Sequence, residues 1–202
     1  MALFQSPTRF LPEGFTFRGA NINDIPSVAI LFHQHNSAAG FVDSISMNEL
    51  RMEWHTPHFN PAVDIRLVLD QREHLIGYIE VWTQGEMAMH PWIWGCVHPD
   101  YEGRQIGTTL LIWAEARARL SGELVPVHLR VAPRFGIYKA SKTAPALCHN
   151  LGWQPSQTDR GINQHLLGLS SATRLLGHSC QAEDQLYLIF EKEIRPGAEL
   201  NH

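Results

Sequence analysis

The residues best suited to chemistry lie in one run: Val97-His98-Pro99-Asp100-Tyr101-Glu102-Gly103-Arg104-Gln105-Ile106-Gly107-Thr108-Thr109-Leu110-Leu111. The run reads as a strand end, a turn and a helix start. A turn of this kind leaves the first backbone N–H groups of the helix unpaired and aimed at one point, where the helix dipole adds partial positive charge. That arrangement suits a pyrophosphate. Gly103 and Gly107 let a ligand approach the backbone closely, and Arg104 adds a full positive charge. The chain contains no G-x-x-x-x-G-K-[ST], G-x-G-x-x-G or G-x-S-x-G run, so three common nucleotide and nucleophile motifs are excluded.

The elements that must hold this turn follow from the apolar pattern. Phe15–Arg18 alternates like a short strand. Asn23 or Asp24 then caps a helix with Pro26 in its first turn, and Met47–Trp54 predicts a second helix. The stretch 56–61 carries two prolines and reads as a loop. Arg66–Leu69 and Leu75–Trp82 flank a polar turn, which predicts a hairpin, and Trp92–Val97 is the next strand. Gly107–Leu120 has its apolar residues on one stripe and is the clearest helix. Val125–Val131 alternates and reads as a strand, Ala144–Leu151 as a short helix stopped by Gly152, and Leu186–Phe190 as a final strand. The segment 161–183 has no clear pattern. No repeat or linker interrupts residues 1–202, so a single domain is expected, with at least one parallel pair closed by the Trp92–Val131 crossover.

Bulk composition narrows the function classes. The chain has 202 residues, 44% of them hydrophobic and 18% charged, enough to bury a sizeable core. Its formal net charge of -4 argues against a non-specific nucleic-acid binder. No run approaches the length of a membrane span, and no secretory leader is evident at the start. Three cysteines (Cys96, Cys148 and Cys180) are too few for a disulfide framework and read as reduced thiols of a cytoplasmic protein. His33-x-His35 and His55-x-x-His58 have metal-ligand residues but no supporting partners, and no metal site is expected. Trp54, Trp82, Trp92 and Trp94 read as core, with an acceptor-binding wall as the alternative.

The run around Gly103 resembles the GNAT superfamily of acyl-CoA-dependent N-acyltransferases. Val97-His98-Pro99 matches the strand end of that family. Gly103, Arg104, Ile106, Gly107, Thr108 and Leu110-Leu111 match its pyrophosphate turn and helix. Glu102 stands where the family has Arg or Gln, and Gln105 where it has Gly. The likeness extends more loosely over residues 15–155 and the last strand. It includes Ser141, Ala144, Leu147, Cys148 and Leu151-Gly152-Trp153 of a second helix near the coenzyme.

The resemblance implies an α/β (α+β) fold: a mixed, mostly antiparallel sheet with a central splayed parallel pair, flanked by helices. It implies acetyl-CoA as cosubstrate, held by Gly95, Cys96, Val97, Gly103, Arg104, Gln105, Ile106, Gly107, Thr108 and Ser141. Pantetheine would lie between Trp92–Val97 and Val125–Val131, and a primary amine, on a small molecule or a peptide, would attack the thioester directly. The position of the usual tyrosine acid is Cys148, with Tyr138 as a nearby substitute; Glu80 and His90 are the candidate bases. Such domains often pair as homodimers. An alternative stays open, a degenerate domain that binds CoA without turnover and acts in sensing or interaction.

Overall fold

The structure is a computed structural model describing residues 7–40, 45–83, 88–139, 141–156 and 187–197. The segment 161–183 and Cys180 lie outside the described residues.

The first helix, α1 (Ile25–Ala38), carries Pro26 in its first turn and buries Ile25, Val28, Leu31 and Phe32 at helical spacing. The turn before it is fixed by a reciprocal cap between Asn21 and Asp24, and Asp24 also takes a two-pronged ion pair from Arg18. Helix α2 (Met47–Trp54) starts at a Ser46/Glu49 capping box. A single turn, α3 (Pro61–Asp64), then leads into the hairpin of β2 (Ile65–Leu69) and β3 (Leu75–Trp82). Strand β4 (Trp92–Val97) and helix α4 (Ile106–Gly122) follow.

Among the described residues the sheet has seven strands. With β1 (Thr16–Arg18), β5 (Arg134–Tyr138), β6 (Gln154–Pro155) and β7 (Tyr187–Glu191), the order is β1-β2-β3-β4-β5-β7-β6. Every neighbouring pair is antiparallel except β4 with β5, which are parallel. The expected mixed, mostly antiparallel sheet with one central parallel pair is therefore present.

Side-chain alternation on the central strands divides the core in two. Tyr78, Trp82, Trp92, Trp94 and Cys96 pack toward α1 and α2. Ile79, Val81 and Ile93 face the other way, with Phe135, Ile137 and Phe190, toward α4 and the short helix α5 (Ala144–Asn150). All four tryptophans singled out in the sequence are thus core residues, and Trp94 alone among them also borders the cleft described below.

One expected strand is corrected. Val125–Val131 is not a strand; the partner of β4 is β5, three residues further on. Val127 is 84% exposed, which the alternating pattern did not anticipate. Carbonyls of this segment find another partner: the Arg195 guanidinium donates to the oxygens of Val125, Pro126 and Leu129, and to that of Gly122 just before it. Pro126 itself has no N–H to give to a ladder. Only Val131 forms a bridge, with Arg195.

Helix α4 is fixed against the hairpin by an ion pair. Arg117 donates through Nε and Nη2 to Asp64 Oδ1 at 3.0 and 2.6 Å, while Asp64 Oδ2 accepts the Asn60 N–H at 2.7 Å. The carboxylate is buried, so removing it strands a partly buried guanidinium and an amide. Asp64→Ala should lower the unfolding free energy by about 3 kcal/mol, read from denaturant melts against the parent chain.

Candidate active site

The site begins where two strands stop pairing. β4 is held by β3 along its whole length, and β5 by β7 along its own. Between β4 and β5 the ladder contains only Trp92↔Arg134 and Ile93↔Phe135. Beyond Ile93 the strands diverge and a cleft of about 420 Å³ opens.

The register shows what lines that gap. His98 N–H donates to Ile76 O at 2.9 Å, so Ile76 and His98 form a hydrogen-bonded pair. Antiparallel alternation then makes Ile79↔Gly95 and Gly77↔Val97 non-bonded pairs. The backbone N–H and C=O groups of Gly95 and Val97 consequently face away from β3, into the cleft. They form a short open strand edge. A Cβ on Gly95 would lie 2.6 Å from Tyr78 O, so the bare backbone there is a steric requirement.

The turn that follows points the first N–H groups of α4 at the same opening. Gly103 has φ +76° and Gln105 has φ +63°, and Gln105 is the N-cap of α4 without a side-chain cap bond. Two left-handed residues bend the chain sharply enough to bring the helix start beneath the end of β4. The Gln105 carbonyl accepts from both Thr109 N and Thr109 Oγ1, at 3.0 Å each. Tyr101 anchors the turn from behind: its hydroxyl donates to Asp70 Oδ2 at 2.8 Å. Against burial, bonds from His74 N–H, Tyr101 and Arg72 N–H hold the Asp70 carboxyl down to about 2.

Of the residues expected to hold a coenzyme, Gly95, Cys96, Val97, Gly103, Gln105, Gly107, Thr108 and Ser141 border this cleft. Arg104 and Ile106 do not. Arg104 is exposed and stacks over the Tyr101 ring at 4.8 Å, and Ile106 is buried under the sheet beside Gly77. Ser141 Oγ accepts the Ala144 N–H at the start of α5. Glu102 also borders the cleft, where its Oε2 accepts from Thr143 Oγ1 at 3.0 Å.

The candidate acid and bases come out differently from the sequence reading. Cys148 is fully buried on the core-facing side of α5 and does not border the cleft, and burial pushes its thiol up to about 12. Such a thiol is a poor proton donor to a thiolate leaving group. His90 lies before the first residue of β4, while the cleft opens at the far end; Trp92 to Val97 alone spans about 16 Å. There Nδ1 faces the Ala132 carbonyl at 3.2 Å. Glu80 is completely buried on the α1/α2 face and does not reach the cleft itself. It accepts the Tyr78 hydroxyl at 2.5 Å, and Tyr78 does border the cleft. Burial outweighs that bond and pushes the Glu80 carboxyl up to about 7.

Two further side chains border the cleft, Tyr138, which the sequence offered as a substitute acid, and His35, which it offered only as half of an unsupported metal pair. Tyr138, at the end of β5, has its hydroxyl on Asn36 Oδ1 at 3.0 Å and its ring edge-on to Trp94. His35, from α1, contacts the Tyr138 ring at 5.6 Å, and its Nδ1 lies 3.2 Å from Val97 O. The signal for His35 was available: it sits four residues after Leu31 and three after Phe32, on the buried stripe of α1.

This geometry can now be set beside known proteins. The family model for the acetyltransferase (GNAT) family matches residues 29–133, just over half of the chain. The chain belongs to that family. Among solved structures it is similar to a GCN5-related N-acetyltransferase from Sphaerobacter thermophilus, at 25% identity and a TM-score of 0.65. That match covers 72% of this chain but 45% of the Sphaerobacter protein, so the chain spans less than half of that relative's length. A GCN5-related N-acetyltransferase from Kribbella flavida shares the fold at 18% identity and a TM-score of 0.60, covering 91% of this chain and 99% of its own. So does a phosphinothricin acetyltransferase from Sinorhizobium meliloti in complex with AcCoA, at 17% identity and 0.60, covering 92% and 91%. No curated protein matches the chain.

Two outcomes follow from the site's local energetics. A left-handed backbone costs a residue with a Cβ roughly 1–2 kcal/mol, partly offset when glycine replaces it by glycine's greater freedom in the unfolded chain. Gln105→Gly should therefore stabilise the fold by about 0.5 kcal/mol, measured by denaturant unfolding. Glu80 carries a folded pKa raised above its unfolded value near 4.5. Its contribution is fully present below pH 4.5 and is lost as the pH rises through about 7. The stability of Glu80→Gln relative to the parent should accordingly improve by about 3 kcal/mol between pH 4.5 and pH 8, in paired melts at both values.

Proposed function

We propose that the chain transfers an acetyl group from acetyl-CoA to a primary amine by direct attack of the amine on the thioester. The observation that carries this reading is the open strand edge at Gly95 and Val97 leading directly to the N-terminus of α4. A flexible amide-bearing arm fits an unpaired strand edge, and a diphosphate fits converging helix N–H groups. The space supports the fit. Nothing lies within 4 Å of a Cβ built on Gly103, and Gly107 leaves room that a Cβ would close to 3.1 Å from Leu147.

When bound, the thioester supplies an activated acyl carbon; the chain supplies orientation and charge placement. The Val97 N–H, one of the two β4 donors that face the cleft, would hydrogen-bond the thioester oxygen as negative charge develops on it. Holding amine and thioester together removes the entropy cost of their encounter. Tyr138 takes the acid position in place of Cys148, because Tyr138 borders the cleft and the buried Cys148 does not. No protein residue forms a covalent bond in this sequence of steps.

A second reading, coenzyme binding without turnover, is favoured by the Glu102 carboxylate at the mouth, which opposes an anion. One titration separates the two. Acetyl-CoA at 100 times its Kd should stabilise the folded chain by about 2.7 kcal/mol, seen as a raised Tm. Thiol release with tyramine, spermidine, lysine or an alanine-ended peptide should then accompany binding. A raised Tm with no thiol release from any of them supports the second reading, and an unchanged Tm at millimolar acetyl-CoA overturns both.

A further inference from the structure

The residue that takes the proton from the attacking amine is assigned by neither the strand nor the helix motif, yet the cleft holds a side chain arranged for it. His35 Nδ1 lies 3.2 Å from Val97 O. A carbonyl oxygen only accepts, so Nδ1 carries the hydrogen and donates it. Nε2 makes no hydrogen bond among the described residues. The ring is held on two sides, by that carbonyl and by the Tyr138 ring at 5.6 Å, and it borders the cleft. The bond also places the imidazole on the residue whose N–H faces the reacting end of the site.

We propose that His35 is the general base, with the bare Nε2 receiving the proton of the amine as its nitrogen bonds to the acyl carbon. The assignment rests on the acetyltransferase reading above and deepens it. The step balances without a further reagent. The amine lone pair forms the C–N bond, the C–S bond breaks, the nitrogen's proton passes to Nε2, and the departing sulfur is protonated from the Tyr138 side or by water.

The electrostatics around the ring agree with this role. Burial lowers the affinity of His35 for a second proton, and this outweighs the Val97 carbonyl and the Glu102 charge, which act the other way. From the sheet the ring meets Val97 and Tyr138, and from the turn Glu102; the neighbouring Asn36 on α1 is neutral and holds the Tyr138 hydroxyl. The imidazole therefore stays neutral at pH 7, as a base must.

The test combines kinetics with spectroscopy of the ring. In the parent chain, kcat/KM with any amine of the panel above should fall at acid pH with an apparent pKa below 6.5. His35→Gln keeps a donor for Val97 O but offers no comparable base. It should lose about 100-fold or more in kcat and the acid limb of the profile, while the acetyl-CoA-induced rise in Tm is unchanged. Equal rates and an equal profile in His35→Gln overturn the assignment and leave the acetyltransferase reading standing. Nitrogen chemical shifts of the His35 ring give a readout independent of the acceptor: hydrogen on Nδ1 and a bare Nε2 at pH 7 are expected. A ring with its hydrogen on Nε2 overturns the assignment, and no thiol release from the parent with any amine overturns it together with the reading beneath it.

Discussion

The site depends on a disagreement between two sets of strand pairings. β4 is committed to β3 and β5 to β7, each along its full length, but they share only two residue pairs with one another. Each hairpin-like pair can follow its own twist because little joins them in the middle. The cost is a set of buried or half-buried peptide groups with no ladder partner, which a stable fold normally avoids. In the function proposed here the unpaired edge serves as the binding surface, and its cost is recovered when something hydrogen-bonds to it. Val97 O already has one such partner, in His35.

The rest of the molecule keeps that opening in place. Asp64 and Arg117 hold α4 to the hairpin, and Asp70 and Tyr101 hold the turn before it. The two left-handed residues, Gly103 and Gln105, then set the angle at which the helix start meets the end of β4. Each contact acts on a different side of one short segment. The direction of the α4 N–H groups is thereby fixed by packing and ion pairs rather than by a conventional side-chain cap, which Gln105 does not provide.

Much of this was legible in the sequence because it is local. The hairpin, the strand before His98-Pro99 and helix α4 follow from periodicity and turn residues lying side by side in the chain. The glycine turn could be placed in the same way, since its strand–turn–helix context is continuous. What was missed is non-local. Val125–Val131 has the alternation of a strand, but Arg195, more than sixty residues away, takes up its carbonyls. Arg134–Tyr138 carries a central glycine, Gly136, which weakens its strand signal until β7 pairs with it. The site residues divide along the same line. Gly95 and Val97 were readable from one motif, whereas Tyr138 and His35 meet only because β5 and α1 approach the same end of β4 from opposite sides. Cys148 was aligned with a catalytic position by spacing alone, and spacing says nothing of which way a helix turns its face.

Because successive side chains of β3 and β4 serve opposite helical layers, the proposed reaction would draw its two halves from separate sets of atoms. On that proposal the diphosphate end falls to α4 and its turn, and the amine end to α1 and the aromatic layer around Trp94. Drift in one layer leaves the other's packing intact. A chain of this kind can exchange one acceptor for another over evolutionary time while its coenzyme cradle stays constant, the shared backbone of β4 being the only part that both must respect.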